Sequence, residues 1–157
     1  MTVDPYKLIP RGGNQFDFES EGSRGSVRKS VEFYHTHDQY YNVGFGDIGD
    51  DGYIDDLSET NNGDLLRVFA TVIKVMEDFL VRSPGAVLYF TGSTPQRVRI
   101  YSMILTRYFH RFSEKYEIRC VKVVGEVRVE TPFVPGNGEE PDRFIVYTKK
   151  NLSNEKK

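Results

Sequence analysis

The sequence predicts an α+β fold: one mostly antiparallel sheet of about six to seven strands, with two helices packed on one face, in the order ββββαβαββ. Three observations lead there. Apolar and polar residues alternate through much of residues 16–57, and again over 116–130 and 142–148, the period of half-buried strands. Between these blocks, residues 65–80 repeat their apolar side chains every three or four positions, the period of a helix. A short unbroken apolar run, Ala86 to Phe90, then precedes a second helical stretch and reads as a central buried strand.

Phe16-Asp17-Phe18-Glu19-Ser20 alternates as a first strand, and Glu21 to Gly25 forms a turn. Val27, Val31 and Phe33 mark a second strand. Tyr40 to Ile48 makes a third, and Tyr53 to Leu57 a short fourth beyond the turn Gly49-Asp50-Asp51-Gly52. The first helix carries Leu65, Val68, Phe69, Val72, Ile73, Met76, Phe79 and Leu80 on one stripe. Asn61 or Asn62 can cap it, Asp64 suits its positive end, and Ser83-Pro84-Gly85 stops it. The second helix runs from Pro95 to about Ser113, with Thr94 as its cap and Ile100, Ile104, Tyr108 and Phe112 as its stripe.

If the strand near residue 54 and the strand 86–90 share a sheet, the first helix makes a parallel, right-handed crossover between them. Both helices then begin at the same end of the sheet, where sites in α/β units gather. One domain covers residues 1–148, and residues 149–157 form a polar C-terminal tail.

Composition narrows the function classes. A net charge of −2 argues against wholesale electrostatic capture of nucleic acid. The charge is uneven: residues 47–64 carry acids and no Lys or Arg, while residues 97–111 carry Arg97, Arg99, Arg107 and Arg111 and no acid. Cys120 is the single cysteine, so no disulfide forms within the chain. No apolar run reaches the about 18–20 residues of a membrane span, and Met1 to Pro5 lacks signal-peptide character, so a cytoplasmic location is expected.

Thr91-Gly92-Ser93-Thr94-Pro95-Gln96-Arg97-Val98-Arg99 is the best candidate site. A helix start presents unpaired N–H groups and partial positive charge. Ser93 and Thr94 add hydroxyl donors, and Gly92 lets the backbone approach a ligand closely. Arg97 and Arg99 oppose the helix dipole, a conflict that a bound anion removes. The expected anion set is Gly92, Ser93, Thr94, Arg97, Arg99 and Tyr101, supported by Asn61, Asn62, Asp64, Arg24 and Lys29. Ordinary capping and edge-strand solubility account for many of the same residues. The Gly-Lys-Ser/Thr ending of a phosphate loop is missing, and no cofactor is implied. His35 and His37 stand at strand spacing but lack further metal ligands nearby in sequence, so a hairpin loop explains them better than a metal.

Taken together, Phe16 to Ser20, Arg24-Gly25, Tyr41 to Asp47, Thr60-Asn61-Asn62-Gly63-Asp64, Val68 to Val72 and Thr91 to Tyr101 resemble a small bacterial family catalogued as a domain of unknown function and found mainly in Bacteroidota. The likeness spans roughly residues 15–120. It implies a stand-alone bacterial domain and links the Thr60–Asp64 and Thr91–Tyr101 segments in one recurring pattern, without implying an activity.

Three functions are expected in order. The first is a module that binds the phosphate of a nucleotide or nucleic acid at two helix N-termini, with tyrosine rings stacking on bases. The second is a nuclease or phosphotransfer toxin-like enzyme, with Asp64 or Asp47 as base or metal ligand within about 10 Å of Arg97. The third is the protein-interaction half of a two-gene regulatory or toxin–antitoxin module, which predicts an exposed apolar patch or strand edge.

Overall fold

The computed structural model describes residues 3–49, 54–55, 62–91, 95–138 and 141–149. Alternating side chains build the first half of the sheet. β1 (Ile9–Pro10), β2 (Gln15–Gly22), β3 (Gly25–His37) and β4 (Tyr40–Ile48) form an antiparallel meander, and β5 (Ile54–Asp55) pairs with the end of β4. The helix α1 (Leu65–Arg82) follows, then β6 (Val87–Thr91), α2 (Pro95–Arg107) and the short α3 (Phe109–Phe112). β7 (Tyr116–Val124), β8 (Val127–Pro132) and β9 (Arg143–Thr148) complete one sheet in the spatial order β1-β2-β3-β4-β6-β9-β7-β8.

The α+β class stands, with three differences from the expected order. Among the described residues the sheet has nine strands and the helices number three. Residues 116–130 are not one strand: Gly125, at φ +63°, turns the chain back and makes a hairpin of β7 and β8. The second helix stops at Arg107, and Tyr108 separates it from α3.

The parallel crossover is present, but it starts from β4. Tyr40, Tyr41 and Asn42 pair in parallel with Val87, Leu88 and Tyr89, whereas β5 runs antiparallel to β4. β3 runs along one side of β4, so β5 and β6 share its other side, end to end.

Register assigns the faces, because paired residues point the same way. Phe33, Val43, Leu88, Phe90, Val146, Phe144, Ile118 and Cys120 lie on one face and are buried. α1 covers it through Phe79, whose ring stacks on Phe33 at 4.1 Å and meets Tyr41 edge-on. Tyr101 of α2 packs against Phe90, and Phe112 of α3 against Tyr116. Val68, Phe69, Val72, Ile73, Met76, Phe79 and Leu80 all point into this core, as their spacing predicts, while Leu65 is 38% exposed and lies off the stripe.

The other face carries no helix among the described residues. One row crosses it from Tyr34 through Asn42, Tyr89 and Ile145 to Arg119. None of these five is fully buried, in contrast to the sealed core on the opposite side.

Candidate functional site

Both helices begin at the carboxyl end of the parallel pair, but the two starts are built differently. At the α1 start the side chains of Asn62 and Asp64 are engaged from within. Asn62 is 1% exposed. Its Nδ2 donates to the carbonyl of Gly25 at 2.8 Å, the carbonyl of Ser20 at 3.3 Å and Ser20 Oγ at 3.2 Å, and its Oδ1 accepts from the Arg24 backbone N–H at 2.6 Å. The Asn62 carbonyl accepts from the Ser23 N–H at 3.0 Å. A Cβ on Gly22 would stand 1.8 Å from that carbonyl oxygen, so the β2–β3 turn needs glycine there.

Asp64 occupies the N-cap position of α1, yet its carboxylate makes no capping bond. Oδ2 accepts instead from Tyr6 Oη at 2.5 Å and Ser20 Oγ at 2.6 Å. Capping by Asn62 is likewise replaced by its clasp on the β2–β3 turn. The Tyr6 backbone N–H donates to Thr71 Oγ1 at 2.8 Å, and the Arg67 guanidinium lies 4.0 Å above the Tyr6 ring. Burial, reinforced by the hydrogen bond to Asp64, pushes the Tyr6 hydroxyl above its ordinary value of 10.0. Tyr6 therefore stays protonated and donates. The N-terminal segment, the β2–β3 turn and α1 are thus fastened at one polar knot.

Lys29 was expected to support an anion surface. Its ammonium is buried on the helix-covered side of the sheet and meets Asp47 Oδ1 at 2.6 Å, with side-chain exposures of 3% and 11%. The pair is internal, and its two charges answer each other. Tyr101, expected to touch a ligand, is 4% exposed, and its ring belongs to the core beside Phe90. Helical spacing explains both outcomes for α2: Tyr101, Ile104 and Leu105 turn inward, and Arg99 faces out.

The α2 start has no acid in its first turn. Arg99 is exposed. Asn61, Gly92, Ser93 and Thr94 lie outside the described residues, as does the side chain of Arg97 and hence its separation from Asp47 or Asp64. Arg24 is exposed, and its backbone N–H donates to Asn62 Oδ1. The α1 start is fastened to the β2–β3 turn on one side of β4, while β6, which leads into α2, lies on the other side.

The partners of Asp64 escaped the sequence reading. Ser20 had a signal: it falls in the same alternation phase as Phe16 and Phe18, so a hydroxyl was due on the covered face. Tyr6 had none, because its contacts lie 58 and 65 residues away in the chain. On the uncovered face, Asn42 Oδ1 is buried with no hydrogen-bond partner among the described residues. His35 and His37 flank an irregularity in the β3–β4 pairing; His35 Nε2 is 2.7 Å from the Asp38 carbonyl, and His37 stacks on Tyr40. A groove of about 410 Å³ lined by Leu8, Pro10, Phe16, Val75 and Val81 lies along the C-terminal half of α1, away from either helix start.

A family of unknown function, DUF6934, matches residues 3–149. The chain belongs to DUF6934. No curated protein and no solved structure matches it. Membership thus covers both helix starts and nearly the whole sheet, and it brings no chemistry with it. No helix among the described residues is long and apolar enough to cross a membrane.

Proposed function

We propose that this DUF6934 protein is a binding module for a phosphate-bearing ligand with a planar base, a nucleotide or a short single-stranded nucleic acid. The α2 start takes the phosphate, through Gly92, Ser93, Thr94 and Arg97, with Arg99 nearby. The row Tyr34–Asn42–Tyr89 takes the base on the uncovered face of the sheet.

The observation that carries this reading is the register of the parallel pair. Asn42 stands level with Tyr89 and with Tyr34, so an unmatched buried acceptor lies between two tyrosines. Tyr89 is only two residues before β6 ends at Thr91 and the chain turns into α2. Tyrosine rings stack on any base, and an orphan carbonyl oxygen calls for an N–H donor such as an exocyclic amino group. A helix start whose first turn has no acid suits an anion. A net charge of −2 favours a small ligand over a long duplex.

The binding reading is preferred to the enzyme reading because Asp47 and Asp64 are both engaged by internal partners, Lys29 in one case and Tyr6 with Ser20 in the other. Titration of the protein with inorganic phosphate, nucleoside monophosphates and short oligonucleotides, followed by backbone NMR, tests the proposal. Shifts at residues 91–99 together with Asn42 and Tyr89 are expected. Saturating nucleotide that moves none of these resonances refutes it.

A further inference from the structure

The two edges of the sheet are not alike. β1 ends one edge with two residues, one of them Pro10, which has no N–H to offer. β8 ends the other with six residues, all exposed, and among the described residues no strand pairs with its outer side. Around it Val124, Val127 and Val129 are 60%, 63% and 43% exposed. A six-residue edge strand that is exposed along its whole length is a template for another strand.

Backbone direction says which groups are offered. The Phe133 N–H bonds to the Ile118 carbonyl at 3.0 Å, and the Asp142 N–H to the Val121 carbonyl at 2.9 Å. Even-numbered residues of β7 therefore face β8, and their partners Val127, Val129 and Thr131 face back. The backbone groups of Arg128 and Glu130 point outward.

We propose that β8 pairs with β8 of a second copy of this chain, antiparallel, about a two-fold axis at Val129. In that register Arg128 lies opposite Glu130 of the second copy, and Glu130 opposite Arg128. Each pair exchanges two backbone hydrogen bonds, because all four residues present their N–H and C=O groups outward. Val129 meets its own copy, and Val127 meets Thr131. The charges select this register: a slip of one residue in the axis, to Arg128 or Glu130, sets like charges face to face. Glu130 already contacts Arg119 at 3.1 Å, so the second copy's Arg128 would place it between two guanidinium groups. Such an isologous contact closes at two chains and covers the edge.

Sedimentation equilibrium of the full chain over micromolar to submillimolar concentration tests this. A reversible monomer–dimer equilibrium is expected. Arg128→Glu sets Glu opposite Glu130 at both symmetric positions and should weaken the dimer about tenfold. Arg128→Glu with Glu130→Arg should restore it to within about threefold. Val129→Cys should cross-link to its own copy under mild oxidation, since a non-hydrogen-bonded antiparallel pair brings Cα atoms to about 4.5 Å. Glu126→Cys should not, and Cys120 is buried. Unchanged thermal unfolding of these surface variants confirms that they fold. A wild-type chain that stays monomeric throughout, a dimer indifferent to Arg128→Glu, or one that fails to cross-link through Val129→Cys overturns the proposal.

Discussion

The start of α1 and the start of α2 follow strands at the same end of the sheet, and both carry polar residues next to glycine, yet the described residues around them differ. At α1, the two described polar residues that the sequence marks for a ligand, Asn62 and Asp64, turn inward. Asn62 clasps the β2–β3 turn, and Asp64 receives Tyr6 and Ser20. At α2, the first turn has no acid, and Arg99 faces outward. The α1 start is thus a structural knot made by partners from distant chain segments, and the α2 start is the anion cradle of our proposal.

Breaking the buried charge beside the knot should have the largest effect. Asp47→Ala removes the carboxylate that faces the Lys29 ammonium, and it should cost about 3–5 kcal/mol of stability in urea unfolding. A loss below about 1 kcal/mol would mean that water reaches Lys29 and the pair is not truly internal.

Asn62→Ala should cost about 1–3 kcal/mol, because the Arg24 N–H and the Ser20 and Gly25 carbonyls lose a common partner. Phosphate affinity should be unchanged. Loss of affinity with stability intact would reverse the contrast between the two starts.

Arg97→Ala should do the opposite. It is expected to weaken phosphate binding about tenfold or more, the worth of a hydrogen bond to a charged group, while leaving the unfolding midpoint nearly in place. Calorimetric titration beside a melting curve reads both quantities.

Tyr6→Phe should cost about 1–2 kcal/mol at neutral pH. It should also alter the alkaline limb of the stability curve. The folded value of Tyr6 lies above its unfolded one, so the stability tied to its proton is fully present below about pH 10 and is lost as pH rises through the folded value. The variant should lose stability less steeply there. Part of the slope should persist, because burial raises Tyr116 and Tyr147 in the same way.

Much of the fold was legible because periodicity is a local property. The alternation of Phe16 to Ser20 gave β2, and the spacing of Val68 to Leu80 gave α1 and its buried face. Pro95 marked the first residue of α2. Gly125 was passed over because valines flank it on both sides and the alternation hardly falters, although it marks the turn between β7 and β8. β1 was missed because two residues carry no period.

The site was legible only as residue types. Helix starts, glycines and arginines are written along the chain, and so the sequence by itself determined an α+β domain, two helices and the places where each begins. Tertiary structure alone decided what meets those beginnings. Lys29 reads as surface charge until the β3–β4 register sets it against Asp47 on the helix-covered face, and Tyr101 reads as a ligand contact until Phe90 claims its ring. The physical reason is that a hydrogen bond between residues 6 and 64 leaves no trace in local spacing, while the cost of burying a polar group unpaired forces the folded chain to find it a partner.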